Sequence, residues 1–301
     1  MVQPASKVGD MSLNGSRVYR SLFQELGRLG YVEGQNLIVE RYSGEGRTEH
    51  YADLVRDIVR THPDLIFSVS TRLALNLKTA TTSIPVVAIT ADPIAGGIVS
   101  SLSRPGGNIT GVSVDAGMEI YGKRLGLLLE AAPKLSNARF LTSEILWDGA
   151  VGSAVREAAE RAGISLAGAL LGSSINEAEY QRVFTSMEQD RVDALMVSDQ
   201  PENFSYRRLI IELAAKSGIP GIYPFREHVE LGGLMAYSFD LEDIYRRIAN
   251  QIAEILKGAR PEDIPYYQPT HFHLTINLKT AKALGLKIQP TLLARADEVI
   301  E

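Results

Sequence analysis

The sequence of 301 residues contains no cysteine. Disulfides, thiol nucleophiles and cysteine-ligated zinc are therefore outside its chemistry, and redox usage gives no clue to compartment. Long apolar runs are also missing: the best candidate, "LGLLLEAA", is interrupted by Glu130 and falls far short of the ~18 residues a membrane helix needs. A strong charge imbalance is absent. Lys and Arg number 31 against 36 Asp and Glu, for a net charge of −5, and the cations are dispersed rather than gathered in a stripe. No nucleic-acid partner is expected from such a surface. The N-terminal "MVQPASKVGDMSLNGS" has neither a basic head nor an apolar segment, so no signal peptide is visible in this chain. Common catalytic signatures are missing too: there is no GxGxxG after a first strand, no phosphate-binding loop, no GxSxG and no HExxH. An enzyme is not expected, nor a cofactor.

What is present is strand and helix in alternation. Apolar residues at helical spacing run through "SRVYRSLFQELGRLG" and "TEHYADLVRDIVR", whereas "NLIVERY", "DLIFSVS" and "IPVVAIT" read as strands. The same order resumes after Ser113, with "GMEIYGKRLGLLLEAAP" a helix, "ARFLTS" a strand, and further pairs down to the strands "PGIYP" and "LMAYS". Such alternation builds parallel sheets covered by helices, and the length suits two successive α/β units. The late helix "DLEDIYRRIANQIAEILKG" and the Pro-rich segment after it are read as crossing back to the first unit and returning. One strand is short of material: only "MVQ" or "SKVGDM" precedes the first helix.

In open parallel sheets ligands collect beyond the carboxyl ends of the strands. Polar residues stand at five such junctions: Ser68 to Arg72 with Ser70, Thr71 and Arg72 at the helix start; Thr90 and Asp92; Ser198 with Asp199 and Gln200; Phe225 and Arg226 after Tyr223; and Ser238 and Asp240 after Tyr237. Each taken singly is read first as a helix cap, and it is their recurrence that favours a ligand cleft. Trp147, the one tryptophan, is read as core or as a stacking face after the strand "ARFLTSEIL". His271 and His273 would share a strand face but lack a third ligand, so no metal site is expected. Between these units "TADPIAGGIVSSLSRPGGNITGVS" concentrates turn residues.

The stretches "ELGRLGYVEGQNLIVERYSGEG", "IPVVAITADPIAGGIVSSLSRPGGNITGVS", "ELAAKSGIPGIYPFREHVELGGLMAYSFDLEDIYRR" and "PTHFHLTINLKTAKALGLKIQPTLLARADEV" together resemble the solute-binding proteins of bacterial ABC importers, in the branch with tryptophan- and phenylalanine-binding members. The resemblance spans about Phe23 to Glu301. It implies two Rossmann-like lobes joined by three crossings, a type I periplasmic-binding-protein fold, with residues 1–112 and about 238–264 in one lobe and 113–237 and about 265–301 in the other. It further implies a small-molecule ligand captured between closing lobes, a membrane permease as partner, an extracytoplasmic location and a monomer. "ADPIAGG" would shape the cleft and "RPGGNITG" would lead into the first crossing. The family pattern after the third strand, close to Ser-Gly-Thr-Pro, is replaced here by Val69-Ser70-Thr71-Arg72, which removes a glycine and adds a cation. Ser70, Thr71 and Arg72 are expected to hold an anionic ligand group, Asp199 or Asp240 an ammonium, and Trp147, Tyr223 and Phe225 to offer stacking faces. The competing expectation is the sensor domain of a regulator with the same fold; no helix-turn-helix precedes Ser16 to support it.

Overall fold

The computed structural model describes residues 1–114 and 117–301. In chain order the first elements are β1 (Val2–Gln3), α1 (Arg17–Arg28), β2 (Tyr42–Ser43), α2 (Tyr51–Arg60), β3 (Ile66–Val69), α3 (Thr71–Ala80), β4 (Val86–Thr90) and β5 (Ile109–Ser113). There follow α4 (Glu119–Ala131), β6 (Asn137–Ser143), α5 (Glu144–Asp148), α6 (Ala150–Ala162), β7 (Ser165–Leu171), α7 (Glu177–Gln189), β8 (Ala194–Val197), α8 (Pro201–Ser205), α9 (Arg207–Ser217) and β9 (Gly221–Tyr223). The remainder is α10 (Arg226–Glu230), β10 (Met235–Ser238), α11 (Leu241–Leu256), β11 (His273–Asn277), α12 (Leu278–Ala283), α13 (Pro290–Leu293) and β12 (Glu298–Ile300).

The chain divides into two compact units, Met1–Asp115 with Leu241–Pro269, and Ala116–Asp240 with Thr270–Glu301. Each is a helix-covered α/β sheet. The first carries the order β2-β1-β3-β4-β5, all parallel, with α11 packed on α1, β4 and β5. Its first strand is the "MVQ" segment, set inside the sheet rather than at an edge. Of "NLIVERY" only Tyr42 enters the two-residue β2, which Ser43 completes, because β1 offers a partner just two residues long. The preceding loop is folded on itself: Asn36 Oδ1 accepts from the Val32 N–H at 2.8 Å, the Arg41 guanidinium grips both oxygens of Glu33, and Ile38 is left exposed.

The second unit carries the order β12-β11-β10-β9-β8-β6-β7, parallel except for the antiparallel pairing of β10 with β11. Helices on both faces explain its apolar runs, because successive side chains of a strand point to opposite faces. Phe140, Met196, Ile222 and Met235 join one core with α4 and α6, while Leu141, Leu195, Val197, Tyr223 and Ala236 join another with α7 and α9. "ARFLTSEIL" divides accordingly. The strand stops at Ser143, and Glu144–Asp148, with Trp147, turns into α5.

Gly111 in β5 faces Ala88 in β4, has φ 155°, and a Cβ placed on it would stand 1.9 Å from the Ala88 carbonyl oxygen. Gly111→Ala therefore forces the two strands apart, and we expect a loss of about 3 kcal/mol or more in urea unfolding. An unchanged midpoint would contradict this close approach.

Candidate functional site

In the first unit the polar strand ends converge on one corner, Thr90–Ala91. The Thr71 hydroxyl oxygen accepts the Ala91 N–H at 3.0 Å, the Ser113 hydroxyl donates to the Ala91 carbonyl at 3.0 Å, and the Thr90 and Tyr266 hydroxyls meet at 3.1 Å. Asp92 Oδ1 accepts the N–H groups of Ile94 and Ala95, closing the turn of "DPIAGG". Ser70 caps α3, its hydroxyl oxygen accepting from the Leu73 N–H at 3.4 Å. Its φ is 113°, a value suited to glycine and strained for serine. Most of these polar groups thus hold the sheet's edge together. Arg72 is the exception: it is half-buried and, among the described residues, its guanidinium has no ion-pair partner.

In the second unit Gln200 binds back to β6, its Oε1 accepting from the Ser143 N–H at 2.9 Å and the Thr142 hydroxyl at 3.2 Å. Buried Asn203 ties down the Ser198 hydroxyl at 2.9 Å. Asp199 is partly open to solvent. Close to it lies a residue that the sequence reading passed over, Arg124 of α4. Arg124 is 1% exposed and its Nε–H donates to the Tyr237 carbonyl at 2.9 Å. Its Nη1 is 3.9 Å from Asp199 Oδ2, and among the described residues Nη1 and Nη2 have no hydrogen-bond partner. A signal for it was available: Arg124 lies on the same helical stripe as buried Ile120, Leu127 and Leu128.

Beside this charge pair is a chain of rings at the carboxyl ends of β8, β9 and β10. Phe204 meets Phe225 at 5.7 Å, Phe225 meets Phe239 at 5.8 Å, Phe239 meets Phe272 at 6.4 Å, and Phe272 stacks on Tyr237 at 6.0 Å. Phe225 and Phe239 are buried, whereas Phe204, Tyr237 and Phe272 are half-buried. Ser238, buried next to Tyr237, has a hydroxyl with no hydrogen-bond partner among the described residues. Asp240 lies in the electrostatic reach of Glu227.

Two expected stacking residues do not join this set. Tyr223 points into the core and stacks on His228 at 5.3 Å, its ring lying over Gly221 and Gly233. Trp147 lies over Gly168 of β7, and the Arg156 guanidinium covers its ring at 4.7 Å. Both have the geometry of structural packing. The two histidines of "HFHLT" also differ from expectation, since His271 precedes β11 and only His273 is in the strand. Among the described residues no group of three or more His, Asp or Glu side chains could hold a metal. Arg226 is bound in ion pairs with Glu230 and Glu298, both at 3.0 Å.

Two helix-covered α/β units, with polar and aromatic groups at their strand ends, are the architecture of the type I periplasmic-binding-protein-like fold. The family model for ABC transporter substrate binding protein matches residues 16–300, and the chain belongs to that family. It is a substrate-binding component, which binds a small molecule for an ABC transporter, and not an enzyme. A "Tyrosine-binding protein" of Clostridioides difficile is 26% identical over 266 residues, covering 86% of this chain and 73% of that protein. The crystal structure of a conserved domain protein from Vibrio cholerae superposes with a TM-score of 0.83 at 23% identity, covering 99% and 98% of the two chains. The structure of an ABC domain from Streptococcus pneumonia in complex with L-Trp gives 0.81 at 25% identity, with the same coverage. No helix among the described residues is long and apolar enough to cross a membrane.

The site's border carries two opposed titrations. Burial holds the His228 imidazole neutral, its pKa lowered to about 3 from 6.5, with Arg207 adding to the effect. Burial raises the neighbouring Glu227 carboxyl to about 7 from 4.5, assisted by Glu230 and Asp240. The His228 contribution to stability is lost as pH falls from 6.5 toward 3; the Glu227 contribution is present below 4.5 and lost as pH rises toward 7. Between 4.5 and 6.5 they oppose one another. Glu227→Gln should therefore match the wild type near pH 4 and gain on it by up to about 1.4 kcal/mol per pH unit toward pH 7 in chemical unfolding. A difference constant with pH would show that the Glu227 carboxyl is not desolvated.

Proposed function

We propose that this chain captures an aromatic amino acid outside the cytoplasm, as a monomer, and delivers it to a membrane permease. The observation that carries this reading is the pair of half-buried, stacked rings Tyr237 and Phe272 at the strand ends of the second unit. A planar side chain gains both area burial and ring–ring contact there. The relatives support the same class of ligand, since one is named for tyrosine and another was solved with L-Trp. In the first unit, the start of α3 supplies helix N–H groups, the Ser70 and Thr71 hydroxyls and the free guanidinium of Arg72 as donors to the ligand's polar atoms, with Thr90 and Asp92 shaping the edge beside them. Asp199, Gln200, Ser238 and Asp240 are the polar set of the other unit.

L-Tyrosine, L-tryptophan or L-phenylalanine at ~100 times Kd should stabilise the chain by about 2.7 kcal/mol, a rise in Tm of about 4 °C, with the ligand recovered unchanged. No shift with any of the three would overturn the aromatic reading. Replacing Arg72 with Ala should weaken binding about tenfold while leaving unfolding stability within about 0.5 kcal/mol. Unchanged affinity would assign Arg72 to the surface alone.

A further inference from the structure

Arg124 is a cation taken out of water without the partners that usually compensate for it. Removing guanidinium N–H groups from solvent without hydrogen bonds costs several kcal/mol, which structural arginines avoid by closing on a carboxylate. Arg41 in the first unit shows the closed form, with both Nη atoms 2.6 Å from the Glu33 oxygens. Arg124 does not do this. Its Nε is anchored on the Tyr237 carbonyl, its body lies 5.8 Å from the Tyr121 ring centre, and Asp199 stands 3.9 Å from Nη1, beyond hydrogen-bond range. Asp199 is steadied from the other side by the Tyr121 hydroxyl at 3.4 Å. A cation and an anion are thus held side by side with the hydrogen-bonding edge of the guanidinium unused.

We propose that Arg124 and Asp199 together form the receptor for the head group of an α-amino acid. The ligand's carboxylate would bind Nη1 and Nη2 of Arg124, and its ammonium would bind the Asp199 carboxylate. A zwitterion satisfies both residues at once. A simple carboxylic acid leaves Asp199 facing a second anion, and a simple amine leaves Arg124 unpaired, so the pair selects against both. The Arg124 guanidinium is the stronger seat for the carboxylate, because a hydrogen bond in a buried position is worth more. Tyr237, whose carbonyl fixes Arg124, also presents a half-buried ring stacked on Phe272, so head group and side chain would be read at one strand end. This assignment rests on the reading of the ligand as an amino acid.

The test is calorimetric titration of the full chain, as wild type, Asp199→Asn and Arg124→Lys, with L-tyrosine, L-tryptophan and L-leucine. Tyramine and 3-(4-hydroxyphenyl)propionate serve as the amine and acid analogues. Asp199→Asn should bind L-tyrosine at least about tenfold more weakly and the acid analogue more tightly than the wild type does, because the facing anion is gone. Arg124→Lys should lose at least about tenfold toward both carboxylate compounds and leave tyramine within about threefold, because a lysine cannot present the two-pronged edge. Circular dichroism checks that each variant folds; should Arg124→Lys not fold, Asp199→Asn and the wild-type panel still decide. If both variants bind L-tyrosine like the wild type, the head-group assignment falls and the amino-acid reading stands. If the wild type takes L-leucine alone, with the same losses in the variants, the assignment stands and the aromatic reading falls. A folded wild-type chain that binds no α-amino acid overturns both.

Discussion

A parallel strand can be followed by another only after the chain has travelled back along the sheet, so every strand of such a sheet ends at the same edge and hands over to a helix there. The backbone groups left over at that edge need partners, and short polar side chains supply them. This requirement organises the first unit. Thr71, Ser113 and Tyr266 all direct hydroxyls to the Thr90–Ala91 corner or its immediate neighbours, and Asp92 closes the turn beyond it. The edge is held by hydrogen bonds among its own polar groups.

The second unit obeys the same rule with a different remainder. Gln200 and Asn203 consume the leftover groups of β6 and β8, much as Thr71 does in the first unit. Arg124 and Ser238 are not consumed in this way: among the described residues, two guanidinium nitrogens and the Ser238 hydroxyl have no hydrogen-bond partner, although all are buried. Buried polar groups in folded chains are ordinarily paired, so unpaired ones near a strand end are candidates for a ligand's own polar atoms. Neighbouring rings give that position an apolar wall.

Much of this frame could be read in the residues. Helices α1, α2 and α7 follow from apolar spacing, the parallel sheets from the alternation of elements, and the polar junctions from their place after apolar runs. The parts that could not be read depend on contacts remote in sequence. "NLIVERY" has strand propensity along its length, yet the length of β2 is set by β1, which lies far from it in the chain. Trp147 and Tyr223 are aromatic at strand ends, as stacking residues would be, but Gly168 opens a seat for the first and Gly221 with Gly233 opens one for the second. The family resemblance added what spacing alone could not, the class of protein. It also flagged the missing glycine at Ser70, whose φ of 113° shows that the backbone there keeps the glycine conformation although the side chain has changed.

Arg124 was overlooked because a charged residue in an amphipathic helix is ordinarily assigned to solvent, and "YGKRLGLL" contains two adjacent cations of which only one can face water. Lys123 lies on the exposed side and Arg124 on the buried stripe. An arginine tolerates that position better than a lysine, since its guanidinium is more weakly hydrated and can rest against the Tyr121 ring while Nε is tied to a carbonyl. What the ring and the carbonyl leave unsatisfied is the flat outer edge of the guanidinium, which has the geometry to take two oxygens of one carboxylate. Asp199 is close enough to lower the cost of burying that charge, yet too far away to close on it. The unit therefore holds its cation in a state that water cannot relieve and the protein relieves only in part, and a group bearing a carboxylate and an ammonium completes it.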